Sequence, residues 1–235
     1  MGKLRNIISS TQVQNVAKLL SANVVAQVIG LVVYPILSRM YAPEDFGLLN
    51  LFISIGNVLV VLSLVDYYYA IVLPKQERHA VALVHVSSLA LLITVAVVAV
   101  SVLLASPISA VFKSPDLAQY YWLMPIYVLS MGAWNILNYW YIRQKQFGQI
   151  SQYLMSQSAL SAGGKIGMGY AGVLQGGMIY AVVVAPLLSL VTSIVRNFRG
   201  CLQPLLRISK SDIVEQSKQY RNFPCFVLPR SFLNV

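Results

Sequence analysis

Long uncharged stretches, separated by short charged connections, form the main pattern of this sequence. A helix needs roughly 20 apolar residues to cross a hydrocarbon core of ~30 Å. Six stretches predict membrane-spanning helices: 19–38, 48–65, 81–105, 120–142, 150–173 and 177–195. The second of these is expected to run on as far as Leu73. A further apolar run at 223–235 has only 13 residues, which is too few to cross.

This pattern predicts an all-α integral membrane fold built around one six-helix bundle. We expect a cytoplasmic amphipathic lead-in at 1–18, the transmembrane bundle at 19–196, a basic cytoplasmic linker at 197–221 and the truncated start of a seventh helix at 222–235. A cleaved signal peptide is the alternative for the N-terminus. It is disfavoured because the first apolar run is too long and lacks an A-x-A exit.

The composition points to the same environment. Lys, Arg, Asp and Glu make up 10% of the 235 residues, against about 25% in a soluble domain. The mean hydropathy is +0.69. These values exclude an ordinary water-soluble enzyme. Cys201 and Cys225 have no metal-ligand spacing, and we expect both to be reduced thiols on the cytoplasmic side.

The distribution of charge explains the net charge of +10 better than a nucleic-acid partner does. With six alternating spans, only Arg39 and Lys113 fall in connections on the side opposite the N-terminus. Thirteen cations fall on the N-terminal side: Lys3, Arg5, Lys18, Lys75, Arg78, Arg143, Lys145, Arg196, Arg199, Arg207, Lys210, Lys218 and Arg221. The positive-inside rule therefore predicts a cytoplasmic N-terminus in a multi-pass protein.

No group of residues in the sequence has the pattern of a catalytic or metal site. Gly164 and Lys165 look like the end of a phosphate loop, but that motif needs a Gly where Ala159 stands and a Ser or Thr after the lysine. His79 and His85 have no Cys, Asp or Glu at ligand spacing. We therefore expect no enzymatic activity, no cofactor and no metal.

Polar residues recur at helical spacing inside three of the predicted spans. Lipid would penalise such stripes, so they should face a shared interior. That interior is either a packed bundle joined by interhelical hydrogen bonds or the wall of a wet cavity. The stripes comprise Asn23, Gln27, Gly30, Tyr34 and Ser38 in span one, Asn50, Ser54 and Asn57 in span two, and Gln157, Ser161 and Lys165 in span five.

Within these stripes, Asn23, Gln27, Asn57 and Ser161 are our candidate substrate-binding residues, together with Lys165. A lysine well inside a span costs ~2.5 to 3.5 kcal/mol on insertion scales and usually faces a cavity or a partner. One interpretation is contact with an anionic substrate. The other is structural pairing, or snorkelling to the outer surface.

Two further charged residues lie at the edges of the spans. Arg39, at the outer edge of span one, is a further candidate for binding an anionic substrate. Asp66 lies near the inner interface, and we favour a structural partner or a solvated helix end there over a proton or cation site.

Helix-breaking and small residues inside the spans favour a bundle that can bend. Pro35, Pro125 and Pro186 interrupt three spans, and Gly163 and Gly167 have the G-x-x-x-G spacing of close helix approach. Bent, glycine-rich spans around a polar interior suit a transporter that rocks between two openings. They also suit an irregular bundle.

Three motifs resemble one family of membrane proteins. They are the run PILSRMYAPEDFG at 35–47, the segment AIVLPK at 70–75, and YRNFP at 220–224 followed by Leu233 and Asn234. The sequence resembles the polysaccharide-export and lipid-linked oligosaccharide flippases of the multidrug/oligosaccharidyl-lipid/polysaccharide superfamily. The resemblance covers nearly the whole chain.

The resemblance implies a function and a location. Arg39, Pro43, Phe46 and Gly47 match the family's first periplasmic loop. Members of the O-antigen and capsule type move an undecaprenyl-diphosphate-linked repeat unit across the bacterial inner membrane by alternating access. Their expected partners are this lipid-linked oligosaccharide and the membrane lipids, with no nucleic acid.

The same resemblance implies two pseudo-symmetric, MATE-like bundles of twelve to fourteen helices in all. This chain corresponds to the N-terminal bundle, so we expect it to be a fragment that lacks the C-terminal bundle. Two alternatives stay open: a cation-coupled exporter of small molecules on the same fold, in which Asp66 matters more than Lys165, and a non-functional truncated membrane protein.

Overall fold

The computed structural model describes residues 11–64, 67–206 and 210–220. Asp66 and the seventh helix predicted at 222–235 lie outside these residues. Every regular element within them is helical, and no described residue lies in a strand. The predicted all-α fold class is therefore confirmed.

Nine α-helices follow one another along the described residues. They are α1 (Thr11–Leu37), α2 (Pro43–Leu64), α3 (Glu77–Ser101), α4 (Ala105–Val111), α5 (Leu117–Tyr120), α6 (Met124–Arg143), α7 (Phe147–Tyr170), α8 (Gly177–Asn197) and α9 (Lys210–Gln219). Shorter helical segments join some of them: 3-10 helices at Tyr67–Val72, Val102–Leu104, Tyr121–Leu123 and Gln203–Leu206, and a π-helix at Phe198–Leu202.

Each of the six predicted spans corresponds to a long helix. Four of these helical segments are long and apolar enough to cross a membrane, judged by length and composition: Leu19–Leu37, Pro43–Ser63, Glu77–Val111 and Gly177–Leu206. The helices α6 and α7 fall outside that set, since aromatic, amide and small residues lower their hydropathy. A six-span crossing therefore stays a prediction.

The sequence explains the beginning of α2 particularly well. Pro43 occupies its first position, where the missing N–H costs no hydrogen bond. Glu44 and Asp45 place negative charge in the first turn, next to the positive end of the helix dipole. The Asp45 carboxylate accepts a hydrogen bond from the Ala42 N–H at 3.1 Å. The charged connection therefore defines the helix start.

The prolines divide into two groups in the structure. Pro35 and Pro186 lie inside α1 and α8, as expected of residues that interrupt spans. Pro125 instead lies in the first two positions of α6. Its ring fits there because the first N–H groups of a helix have no partner within the helix. Pro125 therefore begins a helix rather than bending one.

The core lies around α6, which packs against α2, α3 and α8. Trp140 and Tyr141 of α6, Leu83 of α3 and Phe52 of α2 are all completely buried. The ring of Trp134 stacks on Tyr153 of α7 with centroids 3.3 Å apart. Buried aromatic surface of this extent is the main packing contribution to the stability of the bundle.

The polar groups of two buried aromatic residues in α6 find partners on neighbouring segments. The Tyr127 hydroxyl donates to Asn57 Oδ1 at 3.0 Å. The indole N–H of Trp140 donates to the carbonyl of Cys201, also at 3.0 Å; Cys201 is a buried free thiol. These bonds fix α6 against α2 and against the segment that follows α8.

The two ends of the bundle differ in charge, as the sequence predicted. Lys75 and Arg143 line one pocket, so the connections after α2 and after α6 lie at the same end. Cys201 also lies there, through its bond to Trp140. We call this the basic end. At the other end, which carries Arg39 and Lys113, the connection between α1 and α2 contacts the last turns of α7.

Candidate functional site

A cavity of about 510 Å³, lined by both apolar and polar side chains, lies between α1, α2 and α7. It lies beside the C-terminal half of α1, the first turns of α2 and the middle of α7. Its lining residues are Ala26, Ile29, Gly30, Val33, Tyr34, Leu37, Phe46, Leu49, Asn50, Ile53, Leu154, Gln157, Ser158, Ser161, Ala162, Lys165 and Met178. We refer to it as the Lys165 cavity.

Lys165 is the only cation among the described residues that line this cavity, and none of them is Asp or Glu. The residue is half-buried and lies five positions before the end of α7 at Tyr170. Its backbone carbonyl accepts a hydrogen bond from the Tyr41 hydroxyl at 2.6 Å. The cavity therefore combines one cation with amide and hydroxyl groups and with no negative charge.

Hydrogen bonds and small residues position α7 between its neighbours. Ser158 Oγ donates to the carbonyl of Ala26 on α1 at 3.1 Å. On the other side, a Cβ at Gly164 would lie 3.1 Å from the Cβ of Ala181 on α8. A Cβ at Gly163 or at Gly167, which the spacing marked for close approach, would meet no described atom of another helix within 4 Å. The close contact is therefore made one residue away from the predicted glycine pair, because Gly164 faces α8.

Of the six predicted site residues, the structure brings Lys165 and Ser161 into the cavity. Four other members of the polar stripes line it with them. They are Gly30, Tyr34, Asn50 and Gln157. The stripes of spans one, two and five therefore do share one interior over part of their length.

The other four predicted residues are absent from the described lining. Asn23 is exposed and precedes the first lining residue of α1, whereas Gln27 lies level with the cavity but is exposed outside its lining. Arg39 is exposed in the connection that follows α1. Asn57 lies one turn past the last lining residue of α2, and its side chain accepts the bond from Tyr127. The stripes of α1 and α2 therefore extend beyond the lining of the cavity.

Two residues that line the cavity were not identified as site residues from the sequence. Ser158 lines the cavity and also ties α7 to α1, although it lies next to the stripe rather than in it. Phe46 closes one side, with its ring 5.5 Å from that of Tyr34. The position of Ser158 next to Gln157 of the stripe was the available signal.

The comparisons with known proteins identify the family. A family model described as polysaccharide biosynthesis protein matches residues 12–199, which include α2 to α8 and nearly all of α1. No curated protein and no solved structure matched the chain significantly. The matched region contains every described lining residue of the Lys165 cavity, three of the four apolar helical segments and most of the fourth. The chain is therefore a multi-pass membrane protein with a transporter- or flippase-type role, and it belongs to the polysaccharide biosynthesis protein family.

Proposed function

We propose that this protein forms part of a flippase that moves a lipid-linked oligosaccharide across the bacterial inner membrane. The cargo is an undecaprenyl-diphosphate-linked repeat unit of an O-antigen or capsule polysaccharide, and the basic end of the bundle faces the cytoplasm. The observation that carries the proposal is the half-buried Lys165, which lines a cavity of about 510 Å³ together with uncharged polar and apolar side chains. Family membership supports the substrate class.

The charge of the cavity supports an anionic cargo. A lysine inside a membrane protein is costly unless it meets a counter-charge or water, and no described lining residue supplies a carboxylate. A diphosphate group would provide that counter-charge when the cargo enters. Lysine binds phosphate as a compact, mobile point charge, which tolerates a cargo that moves.

Uncharged polar side chains suit the sugar portion of the same cargo. Asn50, Gln157 and Ser161 line the cavity and can donate and accept hydrogen bonds with glycan hydroxyls. Asn23 and Gln27 continue the polar face of α1 towards the basic end. We place these two residues along the path of the cargo rather than in the cavity.

Arg39 and Asn57 take different places in this proposal. Arg39 is exposed in the connection after α1, and we place it where the cargo leaves, as a second cation for the diphosphate. Asn57 is assigned to packing because its side chain is already bonded to Tyr127.

The attachment of α1 supports alternating access. This helix packs mainly on α7, and Pro35 interrupts its hydrogen-bond ladder near the cavity. A helix with few attachments and a weakened turn can shift at low cost while the rest of the bundle stays packed. Such a shift would open the cavity to one side or to the other.

Substitution of Lys165 in the cell tests the proposal. Lys165→Ala should lower surface polysaccharide about tenfold or more, since losing a buried charge contact costs ~2 kcal/mol or more. Lys165→Arg, which keeps the charge, should retain most of the export. Lys113→Ala is the matched control because Lys113 is exposed in the connection between α4 and α5, outside the cavity lining.

The readouts are the amount of surface polysaccharide and the amount of protein in the membrane fraction. Normal export by Lys165→Ala at a normal membrane level would remove Lys165 from the mechanism. Equal loss in the alanine and arginine variants would show that packing, not charge, matters at this position.

A further inference from the structure

A second cavity lies at the basic end of the bundle. Its volume is about 540 Å³, and we call it the Lys75 pocket. Since α7 begins at Phe147 near this end, Lys165 lies 18 residues farther along the helix, or about 27 Å away by helix rise. The pocket is thus separate from the Lys165 cavity. Its lining residues are Val72, Lys75, Glu77, Ile142, Arg143 and Gln144.

Two cations from different connections meet in this pocket. Lys75 precedes α3, and Arg143 is the last residue of α6. The Arg143 guanidinium donates to the carbonyl of Ile71 at 3.2 Å, which orients the side chain without neutralising it. Glu77 is the only carboxylate in the described lining. The pocket therefore keeps a net positive charge and donors that are available to an anion.

A cluster of tyrosine rings lies near the pocket. Tyr68, Tyr69 and Tyr139 form a cluster with ring centroids 4.2 to 5.2 Å apart. Tyr139 lies one helical turn before Arg143 on α6. Tyrosines concentrate where the headgroups of a bilayer begin, because their rings are amphipathic. A ligand in the pocket would therefore lie among lipid headgroups.

The edge of the pocket is apolar. Val72 is 37% exposed and its neighbour Leu73 is 55% exposed. A soluble anion gains nothing from these side chains, whereas a lipid would bury its acyl chains against them. The combination of two cations, an aromatic cluster and an apolar edge fits an amphipathic anion.

We propose that the Lys75 pocket binds the phosphate of an anionic membrane lipid. Lys75 and Arg143 hold the phosphate, while Val72 and Leu73 contact the acyl chains. Basic pockets between helices on the cytoplasmic side suit lipid headgroups, and the anionic leaflet supplies the ligand at high local concentration. Such a lipid would join the connection after α2 to the end of α6.

Native mass spectrometry of the purified protein in neutral detergent tests this proposal, with phosphatidylglycerol and phosphatidylcholine as the probes. Phosphatidylglycerol should bind more tightly. Lys75→Gln should weaken its binding about fivefold, the contribution of one lysine near an anionic surface. Arg78→Gln is the matched control because Arg78 lies in the next turn, bonds to Gln76 and does not line the pocket. It should bind the lipid as the wild type does.

A variant that is expected to bind the lipid more tightly distinguishes a lost binding site from a misfolded protein. Glu77→Gln removes the carboxylate of the pocket, so it should tighten phosphatidylglycerol binding severalfold. Equal binding of the two lipids, or unchanged binding by Lys75→Gln, would overturn the proposal. Displacement of the lipid by millimolar inorganic phosphate would also overturn it, in favour of a soluble ligand. Lys165→Ala should leave this binding unchanged, which separates the result from the proposed transport function.

Discussion

The helices α1 and α8 have similar apolarity but opposite surroundings. The most apolar 18-residue stretches within Leu19–Leu37 and Gly177–Leu206 have mean hydropathies of 1.9 and 2.3. Only 6% of the first stretch is buried inside the molecule, against 50% of the second. Within the described residues, α1 packs chiefly on α7, whereas α8 packs on both α6 and α7. Apolar character alone therefore does not determine which helix forms the core.

The difference follows from the solvent. A lipid tail is as apolar as a leucine side chain, so a membrane helix gains little from burying leucine and valine against protein. Close packing instead requires small residues and matching shapes. The α6 to α8 region has these in its glycines and stacked aromatic rings, whereas α1 exposes Val28, Leu31 and Val32. The packed region supplies stability, and α1, which packs chiefly on one helix, borders the cavity.

The largest expected effect is in the packed region. Trp140→Ala removes a completely buried indole and its bond to the Cys201 carbonyl. We expect the free energy of unfolding to fall by about 3 to 5 kcal/mol, the usual cost of such a truncation. Thermal unfolding of the purified protein in detergent measures it. Trp122→Ala, at a position 49% exposed, is the control and should cost far less. Equal losses would contradict the central place of α6.

Two glycines in α2 and α7 extend the comparison to a smaller change, because one is closely packed and the other is not. A Cβ at Gly56 in α2 would lie 2.5 Å from the ring of Tyr127, while one at Gly163 in α7 meets no described atom within 4 Å. Gly56→Ala should therefore lower the free energy of unfolding by about 1 to 3 kcal/mol through overpacking. Gly163→Ala should raise it by about 0.5 to 1 kcal/mol because alanine is the better helix former. Changes of the same sign, measured by denaturant titration, would show that the two helices are packed alike.

The smallest expected effect concerns the attachment of the cavity region. Tyr41→Phe keeps the ring but removes the hydroxyl that donates to the Lys165 carbonyl. The free energy of unfolding should fall by about 0.5 to 1.5 kcal/mol, the net value of one such bond. Tyr170→Phe, at a position 81% exposed near the end of α7, should change it little. Hydrogen exchange should also increase in the last turns of α7 for Tyr41→Phe alone, and an unchanged exchange rate there would contradict this attachment.

The six long helices and the separation of charge between the two ends were predictable from the sequence. Uncharged runs of about 20 residues leave few alternatives in a bilayer, because every backbone N–H and C=O must be paired within the segment. The start of α2 followed from Pro43, Glu44 and Asp45, since capping and dipole effects are local. The end of span two was less predictable. The span was expected to run on as far as Leu73, whereas residues 67–72 form a separate 3-10 helix that packs through the tyrosine cluster.

The candidate site was predictable only in part. Helical periodicity correctly placed Ser161 and Lys165 on a face that lines a cavity with Asn50 and Gln157. It gave no means of separating them from Asn23, Gln27 and Asn57, because a stripe has the same period over its whole length.

Composition and periodicity thus established the helices, their apolar surfaces and the charge at each end, because these depend on neighbours within a few turns. The extent of the cavity depended on how helices distant in the sequence pack. Tyr41 meets Lys165 across 124 positions of the chain, and Gly164 rather than Gly163 faces Ala181. A helix rotation of one residue, about 100°, decides such contacts, and the local sequence does not encode that rotation. Side-chain shape at the interfaces fixed it, and with it the place of Lys165 in the cavity.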